Sequence, residues 1–325
     1  MRCPSSTQEA NLSPVTTPEI SVVVCTRDRA ESLELTLASL RPAPPSITWE
    51  LLVVDNASED DTQERLRRIQ STFHCELRIL FEPEAGLAKA RNLALREARA
   101  EVLLFLDDDV TCEPGLVEAH VAAFKDPTVV ATGGRVAPRL PENTPQWFRD
   151  ETGAQSGGPT ARYDFGDTPG EIGLEIQPLP VGANFAIRRN AARENGGFNE
   201  ALGWGPSAIP GEETQLLDKL ASDKGRILYV PDATVHHRIP PERTTFAYFE
   251  RWFERQGRFE AIRFGRLKGR ARWIAIAGTS LRYLKWRVRV SVERDPTRRI
   301  TNIRRLARTR GRWLELATPT ARRED

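Results

Sequence analysis

Glu101-Val-Leu-Leu-Phe-Leu-Asp107-Asp108-Asp109-Val110 drives five apolar residues straight into three consecutive carboxylates. An apolar run that stops at a sharp polar break reads as a buried strand, and the carboxyl ends of strands are where open α/β sheets place ligands. Three adjacent acids at such an end repel one another and raise each other's pKa unless a cation neutralises them. Hard cations such as Mg²⁺ or Mn²⁺ take carboxylate oxygens and share their sites with substrate phosphates. Taken alone, Asp-Asp-Asp reads more readily as a solvated acidic turn. The neighbouring sequence separates the two readings.

From Ile20 to Asp126 the chain alternates strand and helix. Strands are expected at Ile20–Thr26, Trp49–Asp55, Glu76–Phe81 and Val102–Leu106. Helices are expected at Glu31–Arg41, Asp60–Phe73, Gly86–Arg99 and Pro114–Lys125. Four βα units in succession predict an α/β fold with a mostly parallel central sheet flanked by helices, and the acids close its fourth strand. Val129–Val136 reads as a further strand. Arg139–Pro178 is rich in Pro and Gly and reads as a lid or binding loop. Regular structure resumes at Leu179–Arg188, with a helix over Gly211–Ser222 and a strand over Arg226–Val230. After Thr244 the chain reads as helical.

Charge divides the chain in the same place. From Phe249 to Asp325 there are 22 Lys/Arg against 8 Asp/Glu, whereas the remainder carries 25 against 37. An acidic body with a basic tail points to a polyanionic partner for the tail, either membrane lipid or nucleic acid. Within it, Trp273, Ala277, Leu281, Leu284 and Val288 fall on one helical face, with Arg282, Lys285 and Arg289 beside and behind. That pattern fits an anionic membrane surface, with Trp273 and Trp286 as interfacial anchors. It fits equally a helix packed on the body, and Val288-Arg-Val-Arg-Val also alternates as a short strand would. Residues 1–18 are polar, without an apolar signal core, and read as a disordered leader. No apolar run reaches the ~18 residues of a membrane span. Cys3, Cys25, Cys75 and Cys112 form no C-x-x-C pair, which fits a reduced cytoplasmic protein and argues against zinc.

Two further strand ends border the same crevice. Asp55, in Val54-Asp-Asn-Ala-Ser58, can accept from the imide N–H of uracil or the amide of guanine, although Asp-Asn is also an ordinary turn. Thr26 and the backbone around Arg27 can contact the rest of a nucleoside. Gly86-Leu-Ala-Lys-Ala-Arg-Asn92 opens a helix whose N-terminus favours phosphate, with Arg91 either at the ligand end or on a solvated face.

Thr26-x-x-Arg29, Val-Asp-Asn-x-Ser, Gly-Leu-x-x-Ala-Arg-Asn and Leu-Asp-Asp-Asp, in this order and at βα spacing, strongly resemble family 2 glycosyltransferases, the inverting enzymes of the GT-A nucleotide-diphospho-sugar transferase fold. Gly182-Ala-Asn-Phe-Ala-Ile-Arg-Arg189, Gly197-Phe-Asn-Glu200, Gly211-Glu-Glu-Thr-Gln-Leu216 and Val230-Pro-Asp-Ala-Thr-Val-His-His237 extend the likeness. It implies a catalytic domain over 19–243 and a basic, mostly helical extension over 244–325. It also implies a nucleotide-diphosphate sugar as donor and a glycan or lipid-linked acceptor. Asp107 and Asp109, with His237, would hold a divalent cation, Mn²⁺ or Mg²⁺. Thr26, Arg27, Asp55, Arg91, Asp108 and Asn184 would lie on the donor side. The family carries an acidic pair, most often Glu-Asp, whose second member is the base. Here the pair is Glu212-Glu213, and Glu213 is favoured over Glu212.

Trp147 and Trp204 are candidates for a sugar-stacking face, and Arg238–Arg243 for a segment closing over the phosphates. The expected location is the cytoplasm, as the unpaired cysteines suggest, and the inner face of the plasma membrane if the tail binds lipid, with no specific nucleic acid expected. A sugar nucleotidyltransferase would show a Gly-rich first loop, and Val22–Ala30 has no glycine. A dehydrogenase would show G-x-G-x-x-G there. A nucleic-acid-binding protein acting through the basic tail would leave the acidic crevice unexplained.

Overall fold

The computed structural model describes residues 17–153, 157–172, 178–203, 209–222, 225–263, 267 and 269–318. The leader expected over 1–18 lies almost entirely outside them, as does Trp204. The first half follows the predicted alternation: β1 (Ile20–Thr26), α1 (Ala30–Ser39), β2 (Trp49–Asp55), α2 (Thr62–Gln70), β3 (Glu76–Phe81), α3 (Leu87–Glu97) and β4 (Val102–Asp107). The β-branched and leucine-rich runs of β1, β2 and β4 are buried almost throughout, as strands covered on both faces must be. The four strands lie in the order β3-β2-β1-β4, all parallel. Because β2 and β4 flank β1 on opposite sides, the chain reverses its winding there, and the crevice at such a point is the ligand site of open α/β sheets. The register pairs Thr26 with Asp55 and Cys25 with Asp107, so the three candidate strand ends lie level.

The second half departs from a mostly parallel sheet. After β5 (Val110–Cys112) and α4 (Leu116–Ala123) come β6 (Val129–Arg139), α5 (Gln146–Gly153), β7 (Gly170–Glu171), β8 (Asn184–Arg188), α6 (Arg189–Glu194), α7 (Glu212–Ser222) and β9 (Arg226–Arg238). The sheet continues as β4-β8-β6-β9-β5, with β8 antiparallel to both neighbours, β6 parallel to β9, and β5 and β7 antiparallel to β9. It is a mixed α/β sheet. β9 extends well beyond the expected Val230: its pairing with β6 jumps from Val230 to Thr234, and the bulge absorbs Pro231, which cannot donate to the ladder. The segment 139–178 is not one long loop. It contains α5 and β7, and Phe148 of α5 is buried against Phe249 and Phe253.

The extension forms three helices, α8 (Phe246–Arg263), α9 (Gly269–Val292) and α10 (Pro296–Ala317). Val288-Arg-Val-Arg-Val is helical, not a strand. No helix among the described residues is long and apolar enough to cross a membrane. Two carboxylates dock α10: Glu151 of α5 receives Thr301 and Arg304, and Glu260 of α8 receives Arg308 and Arg312. Gly257 of α8 and Gly311 of α10 meet the opposite backbone so closely that a Cβ at either would overlap it, against Arg308 O and Glu254 O respectively. Such contact is open only to glycine, and a methyl group must push the helices apart at a cost of about 1–3 kcal/mol. Gly257→Ala is therefore expected to lower the urea midpoint. Gly278→Ala, on α9 where nothing lies near the added carbon, should leave it unchanged or raise it by helix propensity. Equal stability of Gly257→Ala and the parent would refute the close crossing.

Candidate active site

The three acids take different environments within three residues. Asp107 ends β4 half-exposed, while Asp108 and Asp109 are buried. The chain then swings out as β5 and pairs with β9, setting Val110 opposite His237; Arg238 N donates to Asp109 O at 2.8 Å. Pairing of β5 with β9 therefore carries a histidine far away in sequence to the carboxylates. Asp108 accepts from Thr26 Oγ1 (2.7 Å) and from Arg29 Nη1, while Arg29 Nη2 and Arg243 Nη1 donate to Asp109 Oδ2 at 2.8 and 3.2 Å. Burial pushes Asp108 up to about 6, with Arg29 opposing and Asp109 adding to the rise. Burial would raise Asp109 as well, but His237, Arg29 and Arg243 outweigh it and hold that carboxyl below its ordinary range.

His237 and His236 face opposite ways, as alternate strand residues must. His236 Nε2 meets Glu113 Oε1 at 2.6 Å, away from the acids. His237 is buried, with Nδ1 2.9 Å from Thr160 O. A carbonyl accepts only, so Nδ1 carries the proton in that contact. Nε2 is then directed at Asp109 Oδ1, 3.2 Å away, and that oxygen is buried without a hydrogen bond of good geometry. One donor atom each from Asp107, Asp109 and His237 lie within 4.8 Å of one another. Two carboxylates and an imidazole oriented through its far nitrogen are a set that fits a divalent cation.

Beside these acids a pocket of about 350 Å³ is lined by Thr26, Arg27, Arg29, Leu87, Arg243 and Tyr248, among others. Arg27 is half-exposed at its rim. Asp55 is completely buried: Oδ1 caps the turn from Ser58 N at 3.0 Å, and Oδ2 has no hydrogen-bond partner. Asn56 has a structural task, since its amide holds Glu82 O, Glu84 O and Gly86 N and so fixes the loop that enters α3.

Arg91 lies on the crevice side of α3, beside Asp107, and not on a solvated face. It is 3% exposed, enclosed by the rings of Phe105, Phe185 and Phe198 at 5.4–5.9 Å. Its Nη1 donates to Glu212 Oε1 at 2.7 Å and lies 3.9 Å from Glu213 Oε2, while Nη2 lies 3.6 Å from Asp107 Oδ1. One guanidinium thus links the acids of β4 to those of α7. Glu212 is buried against it. Burial and the Glu212 carboxylate push Glu213 up to about 7, against the opposing effect of Arg91. Both glutamates, Asp107, His237, Tyr248 and Trp252 line a cleft of about 390 Å³.

Asn184 stands apart from this cleft. Its Nδ2 donates to Ala233 O and Arg135 O, and its Oδ1 meets His120 Nε2 at 3.0 Å, so the amide is spent inside the sheet. Burial lowers His120 to about 4 and keeps it neutral in that network. Trp147 packs on Phe148, Phe246 and Phe249 instead of presenting a face for a sugar. Arg29 and Tyr248 are the residues that sequence reasoning did not single out. The Thr-x-x-Arg spacing carried the only signal for Arg29, and nothing marked Tyr248.

The chain matches the family model "Glycosyl transferase family 2" over residues 21–196. It is 27% identical over 245 residues to the glucosyl-dolichyl phosphate glucuronosyltransferase of Haloferax volcanii, covering 70% of this chain and 72% of that protein. It is also 27% identical over 257 residues to the succinoglycan biosynthesis protein ExoM of Rhizobium meliloti, covering 75% and 74%. The pre-mycofactocin glycosyltransferase of Mycobacterium tuberculosis is 29% identical, but the match spans 42% of that protein. In fold, the chain is similar to the mannosyltransferase PcManGT from Pyrobaculum calidifontis, solved with GDP-Man and Mn²⁺, at 21% identity and a TM-score of 0.56, covering 91% of this chain and 88% of that one. A carboxylate-lined crevice at the sheet's winding reversal and a family model matched across more than half the sequence lead to one assignment: this chain belongs to glycosyl transferase family 2.

Proposed function

We propose that this glycosyltransferase works with inversion, moving a sugar from a nucleoside-diphosphate donor to an acceptor hydroxyl, with Glu213 as general base and a divalent cation at Asp107, Asp109 and His237. The observation that carries the reading is Arg91, whose guanidinium touches both the acid nearest the cation site and the pair that supplies the base. Inversion needs one base on the acceptor side. As the acceptor oxygen bonds to the anomeric carbon, Glu213 takes its proton, and the bond from that carbon to the diphosphate breaks. A carboxylate whose pKa lies near 7 is well matched to that transfer at neutral pH. Glu212, already committed to Arg91, holds the guanidinium in place. A bound cation supplies charge neutralisation to the departing diphosphate. The mixed oxygen and nitrogen donor set favours Mn²⁺ over Mg²⁺.

On the donor side, Arg29 and Arg243 flank the acids and are in reach of diphosphate oxygens. Asp108 acts by anchoring Arg29 and Thr26. The unpartnered Asp55 Oδ2 would accept an N–H from uracil or guanine. Leu179, Tyr248, Trp252 and Phe259 give the cleft an apolar wall beside the base, which suits a glycan or lipid-linked acceptor. Two relatives, a glucosyl-dolichyl phosphate glucuronosyltransferase and a succinoglycan biosynthesis protein, support the same class. We place the reaction in the cytoplasm, where Cys25, Cys75 and Cys112, all free thiols, would remain reduced.

Two experiments test this. A panel of nucleotide sugars assayed for release of nucleoside diphosphate should show turnover that disappears with chelator and returns with Mn²⁺. Asp109→Asn should remain folded by circular dichroism and lose that activity, whereas full turnover in chelator would remove the cation from the mechanism. Glu213→Gln keeps shape and loses the proton acceptor, so kcat should fall by roughly 10²–10⁴ while donor affinity is nearly unchanged. Because the raised pKa keeps Glu213 protonated, and so inactive as a base, until higher pH, parent turnover should rise as pH passes through about 7 and level off above it. A Glu213→Gln enzyme with parental kcat would assign the base elsewhere.

A further inference from the structure

α9 has two contrasting faces. The inner one rests on α10: Arg272 donates to Leu316 O and Thr318 O at its end, Trp313 Nε1 donates to Ser280 Oγ, and Arg305 lies over the Trp286 ring. The outer one leaves Trp273, Ile274, Leu281, Leu284, Val288 and Val292 between 54% and 72% exposed. At 100° per residue, these side chains and Ala277 fall within about a 100° arc, so they form one stripe along the whole helix. A soluble helix normally buries such a stripe. The sequence of α9 also contains six basic residues and no Asp or Glu. Five of them, Arg270, Arg282, Lys285, Arg287 and Arg289, are exposed, and the ion pairs of the three helices among the described residues go to other arginines.

The charge selects among occupants. A second copy of the helix would set six cations against six. A nucleic-acid backbone would satisfy the cations and leave the tryptophan, leucines and valines facing water. An anionic bilayer answers both halves, with acyl chains for the stripe and phosphates for its borders. We propose that the outer face of α9 docks on the surface of an anionic phospholipid bilayer, lying in the plane of the headgroups. The basic border continues past the helix end, where Arg289, Arg298 and Arg305 line a depression beside Val292. Docking does not depend on the chemistry assigned to the cleft. It would nevertheless fix the cleft's position, because α9 rests on α10 and α10 is joined to α8, which walls the cleft.

The test sediments the full chain with vesicles of phosphatidylcholine alone or with roughly one third phosphatidylglycerol. Pelleting is expected with the anionic vesicles at low salt, less at high salt, and little with neutral ones. Leu281→Asp/Leu284→Asp, remote from the cleft, should retain donor turnover and lose roughly tenfold or more in partitioning. Arg270→Gln/Arg287→Gln keeps the stripe and should weaken binding at low salt only, which guards against misfolding of the first variant. Several results would overturn the proposal. They are equal binding by the leucine variant, parental indifference to lipid charge, a dimer in sedimentation velocity that the leucine variant dissolves with no vesicle binding by the parent, and salt-sensitive DNA binding with no vesicle binding.

Discussion

Five carboxylates converge on one end of the sheet, and the surrounding structure has to compensate them. Asp107, Asp108 and Asp109 arrive together because they are adjacent in sequence, and Glu212 and Glu213 join them from α7. Removing one such ion from water costs several kcal/mol even after relaxation, and mutual attraction recovers this only with good geometry. The molecule supplies the counter-charges from three directions. Arg29 comes from the turn after β1, Arg91 from α3, and Arg243 with His237 from the end of β9 and the turn that follows. No two of these three groups are contributed by neighbouring segments, so folding the site requires folding the sheet.

Arg91 shows how electrostatics and packing combine. Three phenylalanines from β4, β8 and the segment before α7 surround its guanidinium, which the negative faces of the rings favour, and Gly182 O accepts from it at 3.3 Å. Its charge therefore cannot be met by water and must be met by Glu212. That leaves Glu213 as the glutamate with room to change its protonation. Burial and a single ion pair thus give two neighbouring glutamates different environments.

The parallel half of the fold was legible in the sequence because each strand is buried on both faces and announces itself as an apolar run. The level ends of Thr26, Asp55 and Asp107 agree with strand ends expected at one crevice, whereas the reversal at β1 was not readable, because the right-handed crossover rule fixes the hand of each connection and not the strand order. The antiparallel half was not legible, since the pairing of β8 with β4 and of β5 with β9 is set by long-range packing with no local signal. That is also why the helix around Arg91 could be located but its partner could not: Glu212 lies 121 residues away. Asn184 misled for a related reason. An amide two residues after Gly182 resembles a ligand contact, but His120 and two carbonyls within the sheet claim its hydrogen bonds. The segment 139–178, expected as a lid or binding loop, divides: Gly157, Gly158, Pro159 and Ala161 line the cleft, whereas Trp147 and Phe148 pack on α8, more than ninety residues on.

The basic extension was readable as helices, but its relation to the cleft was not. Arginine counts describe α8–α10 as one cationic tail, whereas the contacts divide them by task. α8 turns Tyr248, Trp252 and Phe259 into the cleft and Phe249 and Phe253 against Phe148. α10 turns Arg304, Arg308 and Arg312 to Glu151 and Glu260, and the glycine crossing removes the slack that side chains would leave between it and α8. Only α9 directs both an apolar stripe and cations to solvent. α9 thus brings the apolar stripe together with exposed cations, and its basic border continues onto Arg298 and Arg305 of α10. Because the two inner helices are joined backbone to backbone, whatever α9 binds is held at a fixed relation to the wall that α8 gives the cleft.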